Sequence, residues 1–169
     1  RARRPGSSLY LVTTFTGDIT GSDQLAIIGN GLGKLTIDRS GGSLSYTGEI
    51  NVNAGPGQLK LINTTATASS DFLVAQGVLE LNNSHVGIIK LGYTGGGSNV
   101  NGTLILSGTT ANIASQITLV NNSQITSVIN STTDYGRIAV TSPVDLGAGA
   151  PTFTLQGSYA PNLGEIFNI

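Results

Sequence analysis

The chain has 169 residues, 17 of them charged, with no Cys, Met or Trp; Gly, Ser and Thr number 24, 17 and 20. Without Cys there is no disulfide scaffold or thiolate metal site, and the shortage of strong helix formers excludes a coiled coil or helical bundle. No apolar run approaches the ~20 residues of a transmembrane helix, while a 38% hydrophobic content is too high for a disordered tail, so the length reads as one folded domain.

Residues 1–8 hold Arg1, Arg3 and Arg4. They read as a scar of processing or cloning, or as a basic arm. Without an initiator Met, the expectation is a processed chain or an excised fragment. From Pro5 onward five basic residues face nine acidic ones, a net of −4. Nucleic acid is therefore not an expected partner, because phosphate neutralisation needs a basic face. Residues 9–169 are expected to form a single domain.

From there the chain alternates in short β-prone runs, cut by Gly, Asn, Ser and Asp. Leu9–Thr13, Leu25–Ile28 and Lys34–Ile37 are the first. A five-residue pattern then repeats: Gly, any residue, aliphatic, any residue, aliphatic. It occurs at Gly33–Ile37, Gly57–Leu61, Gly77–Leu81, Gly102–Leu106 and Gly136–Val140. The first four glycines stand 24, 20 and 25 residues apart and the last two 34 apart. Either Ser115–Leu119 or Ser123–Ser127, both without the glycine, is expected to fill that longer gap.

A period of 20–25 residues marks a solenoid. One coil cannot bury its inward aliphatics alone, but stacked coils can. The expected fold is all-β, a parallel β-solenoid; a β-sandwich or jelly roll is the alternative. The aliphatics sit two residues apart, hence on one strand face. Leu35, Leu59, Leu79 and Leu104 should form one interior column, and Ile37, Leu61, Leu81 and Leu106 the next. The preceding glycine is expected to supply a turn that a Cβ would obstruct. Thr36, Lys60, Glu80 and Ile105 should point outward, with Lys60 and Glu80 as neighbours forming an exposed ion pair.

Two segments resemble a known family. Tyr46-Thr47-Gly48, Val52, Ala54-Gly55 and Gly57-Gln58-Leu59-Lys60-Leu61 resemble the autotransporter-associated β-strand repeat. The tail (Asp134–Val140, Val144–Gly147 and Gly157–Phe167) is similar to the last coils of bacterial passenger domains. The resemblance covers about a third of the chain. It implies a right-handed solenoid that is secreted or displayed at the cell surface, and roles in adhesion, aggregation or biofilm. Other copies of the chain, surface or host glycans and matrix are the partners so implied.

The search for chemistry yields no catalytic, cofactor-binding or metal residues. A sugar-active β-helix enzyme, the least favoured reading, would cluster its carboxylates. Asp18, Asp23, Asp38, Glu49, Asp71, Glu80, Asp134, Asp145 and Glu165 never share a position in successive copies. His85 is the single histidine, too little for a metal site, and reads as an exposed or turn residue. Gly29–Gly33 and Gly95–Gly97 lack the Lys-Ser/Thr ending and the helix of a phosphate loop and read as turns. Asn-x-Ser/Thr occurs at Asn63, Asn82, Asn101, Asn121 and Asn130, with no strong excess over chance. A structural reading exists for Asn82, Asn83, Asn121 and Asn122: stacked Asn can form side-chain ladders and tolerates left-handed turns. The nine aromatics are spread along the chain and read as core and turn packing.

The expected function is non-enzymatic and extracellular: an adhesive or structural solenoid. A self-assembling filament subunit is the alternative, because a solenoid end exposes unpaired backbone groups.

Overall fold

A computed structural model describes residues 12–27, 33–53, 57–92, 101–120, 122–146 and 150–169. The basic start, Leu9–Leu11 and both glycine loops (29–32 and 95–97) lie outside the described residues. Fifteen strands run along the described chain: β1 (Val12–Phe15), β2 (Thr20–Gly21), β3 (Leu25–Ile27), β4 (Lys34–Asp38) and β5 (Ser45–Tyr46). Next come β6 (Ile50–Val52), β7 (Gln58–Ile62), β8 (Thr65–Val74), β9 (Val78–Asn82) and β10 (His85–Leu91). The last are β11 (Thr103–Ser107), β12 (Asn112–Leu119), β13 (Gln124–Val128), β14 (Ile138–Val140) and β15 (Thr152–Gln156). No helix occurs among the described residues.

The strands form a β-solenoid of about five turns. One wall is a seven-stranded sheet in the order β1-β4-β7-β9-β11-β13-β15, the other a six-stranded sheet in the order β14-β12-β10-β8-β6-β3. A short two-stranded sheet of β2 and β5 adds a third strip near the start. Every ladder between these strands is parallel, whereas a sandwich or jelly roll is built from antiparallel sheets.

The two predicted columns form in register. Leu35, Leu59, Leu79 and Leu104 are successive partners, as are Ile37, Leu61, Leu81 and Leu106. From Leu59 and Ile37 onward these side chains are fully buried. The opposing wall supplies Ile50, Phe72, Ile89 and Ile117, also partners in sequence and also buried. Each such side chain loses its apolar surface to water only because a coil lies on both sides of it. Full burial of one contributes about 1.5–3 kcal/mol.

Four expectations are corrected. Ser123–Ser127, one of the two alternatives for the longer gap, continues the first wall: Leu104 pairs with Ile125. Gly136–Val140 instead supplies β14 in the opposite wall, where Asn112 pairs with Ile138. The cause is a compact turn after β13. Ile129 bridges Tyr135 antiparallel, and Asn130 and Ser131 donate to the Asp134 carbonyl at 2.8 and 3.1 Å. The chain therefore crosses to the second wall before Ile138. The copy that closes the first wall is Thr152–Gln156, which has no glycine pattern.

Thr36 does not stand exposed. It points away from the two columns but is 7% exposed between its partners Thr14 and Lys60, so it is not a position that tolerates a charge freely. At Gly102 the expected obstruction of a Cβ is present, but it does not come from a turn. Gly102 has no positive φ; a Cβ there would strike the Val74 carbonyl oxygen and the Gly92 nitrogen of the neighbouring coil. The glycine is needed for close approach of two coils. Finally, His85 is neither exposed nor in a turn: it opens β10, half-buried between Thr65 and Ile113.

The corner after the first wall is polar and laddered. Asn63 and Asn83 adopt φ of 45° and 50°, a left-handed conformation that Asn accepts. Asn83 Nδ2 donates to Asn63 Oδ1 at 3.3 Å, and Thr110 N donates to Asn83 Oδ1 at 2.9 Å. The expected stack thus runs through Asn63 and Asn83. Asn82 donates instead to Ser107 Oγ at 3.0 Å, Asn122 is exposed, and Asn121 lies outside the described residues.

A second ladder is buried just inside the corner. Arg39 N donates to Thr64 Oγ1 at 3.2 Å, Thr64 N to Ser84 Oγ at 3.2 Å, and Ser84 N to Asn112 Oδ1 at 2.9 Å. Asn112 Nδ2 donates onward to the Ser107 and Arg137 carbonyls, both at 3.2 Å. Thr64, Ser84 and Asn112 are at most 3% exposed. They satisfy the Thr64 and Ser84 N–H groups, which would otherwise be buried without partners.

Candidate functional site

The carboxylates stay dispersed, and most are bound to a structural neighbour. Glu80 in β9 is the best connected. It takes Lys60 as an ion-pair and hydrogen-bond partner, Gln58 Nε2 at 2.6 Å, and Lys34 Nζ at 3.5 Å. The expected Lys60–Glu80 neighbours are therefore in register, but the pair is not exposed: the Glu80 side chain is 12% exposed and that of Lys60 20%. Long side chains from three successive coils lie flat over the sheet and cover one another. On the opposite wall Asp71 pairs with Lys90 at 2.7 Å.

Most of the remaining acids are local fasteners. Asp18 is held below the ordinary carboxylate range by hydrogen bonds from the Ser45 hydroxyl and backbone N–H. Asp38 Oδ1 accepts from Ser40 N at 2.9 Å, Asp134 Oδ2 from Asn130 Nδ2 at 3.1 Å, and Glu49 from the Gln24 amide. Tyr46 is buried, and its hydroxyl donates to the Asp23 carbonyl. Burial and the Asp23 charge push that phenol above its ordinary range. Among the described residues no three His, Asp or Glu side chains approach as a metal site would require.

The tail gathers what the sequence leaves scattered. The turn after β13 places Tyr135 beside β14. Phe167 packs edge-on against Tyr135 at 5.2 Å and against Tyr159 at 6.1 Å. The Arg137 guanidinium lies 4.7 Å from the centre of the Tyr135 ring and donates to the Thr109 carbonyl at 2.6 Å. Glu165 closes the loop from below. Both its oxygens accept from the Tyr159 hydroxyl at 2.8 Å, while Asn162 donates from its N–H at 2.9 Å and its side chain at 3.1 Å. Those bonds, from Asn162 first and then Tyr159, hold Glu165 below the ordinary glutamate range. Tyr159 is raised in turn, chiefly through the same hydrogen bond.

Three of the nine aromatics and one arginine thus form a half-exposed cluster with cation–π character. The aromatics are not all dispersed, as the sequence suggested. The signal that marks them is the tail motif itself, in which Tyr135, Arg137, Tyr159 and Phe167 all occur. Linear distance hides their convergence, because a solenoid brings together residues one coil apart.

No family model, curated protein or solved structure matches the chain.

Proposed function

We propose that the chain is a non-enzymatic structural and adhesive solenoid of a secreted or surface-displayed protein. The observation that carries this reading is the use made of its acids. At least seven of the nine carboxylates are hydrogen-bonded or ion-paired to a named neighbour that holds a coil, corner or loop in place. General acid–base chemistry needs a carboxyl poised within reach of substrate and of a second titratable group. These groups are instead distributed one or two per coil. The polar, sparsely charged outer faces suit a long scaffold. The tail cluster of Tyr135, Arg137, Tyr159 and Phe167 supplies the kind of aromatic and cationic surface on which a sugar ring can rest.

Binding of the purified 169-residue chain to glycan and matrix-protein arrays tests the adhesive part. Retention on a glycan that is lost in Tyr135→Ala and Arg137→Ala supports it. Silence on both arrays reduces the chain to a spacer. Turnover of a polysaccharide that is abolished by Glu80→Gln would overturn the non-enzymatic reading. Antibody access to intact cells of the source tests display.

A further inference from the structure

Asparagine is a chemically labile residue. The backbone nitrogen of the next residue can attack its side-chain Cγ and expel ammonia. The attack needs that nitrogen free of other hydrogen bonds, and a following residue small enough to let a succinimide ring close. At Asn63, Asn83, Asn112 and Asn130 the fold withholds the first condition. Thr64 N donates to Ser84 Oγ at 3.2 Å, and Ser84 N to Asn112 Oδ1 at 2.9 Å. Ile113 N donates to the Ser84 carbonyl at 3.0 Å, and Ser131 N to the Asp134 carbonyl at 3.1 Å. The bonds that build the corners and the turn after β13 therefore also keep these asparagines from reacting.

Asn101-Gly102, just before β11, has neither protection. Asn101 is exposed. Among the described residues, no hydrogen bond holds its side chain and none takes the Gly102 N–H. Gly102 has no side chain to crowd a closing ring. Nor can the position hold anything larger, because a Cβ there would collide with the Val74 carbonyl oxygen and the Gly92 nitrogen. Close approach of two coils thus forces the least hindered follower onto an exposed asparagine.

We propose that Asn101 is a self-modification site, at which the folded chain converts slowly to aspartate and isoaspartate. The Gly102 nitrogen bonds to Asn101 Cγ, and the Cγ–Nδ2 bond breaks. The proton lost from Gly102 N passes through solvent to Nδ2, which leaves as ammonia. Water then opens the succinimide at one of its two carbonyls. One opening gives aspartate; the other routes the backbone through the side chain and gives isoaspartate. Asparagine and water go in, the acid and ammonia come out, and no oxidant or cofactor takes part. Each converted chain gains one negative charge, and isoaspartate lengthens the backbone by one carbon. β11 has no slack to take up that length. Thr103 N is bound to the Gly77 carbonyl at 3.1 Å, and the Gly102 carbonyl accepts from Gln124 N at 2.9 Å. The chain thereby carries a one-way chemical record of its age, independent of the adhesive reading.

Peptide mapping by mass spectrometry tests the proposal on the full 169-residue chain, held folded at mildly alkaline pH. The expected result is a growing share of aspartate and isoaspartate at position 101, faster as pH rises, with Asn63, Asn83, Asn112 and Asn130 unchanged. Asn101→Gln would have to close a larger ring, so conversion in that peptide should be lost while the melting curve stays where it was. In urea the corner bonds are gone, and Asn83, followed by the small Ser84, should begin to convert as well. Conversion at Asn101 that appears only in urea would overturn the proposal, because the fold would then be holding the Gly102 nitrogen. So would equal conversion in the folded chain at Asn122, which is exposed but followed by Ser123.

Discussion

Leu79 and Phe153 occupy equivalent inward positions in the same column, and they differ in what lies beside them along it. Leu79 has Leu59 on one side and Leu104 on the other and is fully buried. Phe153 has Ile125 on one side and no described residue pairs with its strand on the other; half of it meets water. The middle coils and the last coil thus use the same register and the same alternation, yet only the middle has a core. In a solenoid, burial comes from the neighbouring coil and not from the position within the coil. The last coil compensates with local fasteners: a turn held by Ser131 and Asp134, and a loop held by Glu165.

The widest separation between the two regions should come from charge in the column. Leu79→Asp should abolish folding, because an unpaired buried carboxylate costs several kcal/mol beyond the lost packing. Phe153→Asp should shift a chemical denaturation midpoint by no more than about 1 kcal/mol equivalent in a monomer. Equal losses at the two sites would mean that the last coil is as well covered as the middle.

A smaller contrast lies in the polar ladders. Asn112→Ala leaves Ser84 N without its partner in a buried corner, and should cost about 1–3 kcal/mol in urea denaturation. Asn122→Ala, exposed on a later turn, should cost less than about 0.5 kcal/mol. Glu80→Gln comes next. It keeps the shape but removes the charge that Lys60 and Lys34 share, at a cost of about 1 kcal/mol that shrinks in high salt. Salt-independent loss would show that shape and not charge holds the three coils together there.

The smallest effect concerns the tail. A carboxyl whose folded pKa is depressed favours folding above its unfolded pKa and loses that contribution as pH falls through the folded value. Glu165 is such a group. The Tyr159–Glu165–Asn162 clasp should therefore hold at neutral pH and open as pH drops below the ordinary glutamate range. The Tyr159 ring resonances should follow this opening while those of Phe72 in the core do not move. A simultaneous change at both rings would make the tail part of the same cooperative unit as the middle.

Much of the first wall is legible in the linear chain. The spacing of Gly33, Gly57, Gly77 and Gly102 sets the coil length, and the leucines two residues apart name both columns. The second wall is harder to read. Its strands do not share one motif, and β8 carries an irregularity opposite Val86 and Ile88: Thr67, Ala68, Ser69 and Ser70 stand where β10 has only Gly87. Ser69 is buried there and donates to the Tyr46 carbonyl at 3.2 Å. Such an insertion destroys period without destroying the fold. The tail cluster is harder still, since Tyr135 and Phe167 are separated by a whole excursion through β14 and β15.

The sequence by itself determined the architecture, the register of the middle coils and the Lys60–Glu80 alignment. These follow from a two-residue alternation repeated at a nearly constant interval, which is a local property of the chain. Only the tertiary structure decided that Gly136–Val140 crosses to the opposite wall, that Thr36 is covered, that Asn63 rather than Asn82 pairs with Asn83, and that the apolar side chains of the tail face outward. Each of these depends on which coil lies next to which. Neighbours twenty to thirty residues apart exist only once the coils have stacked.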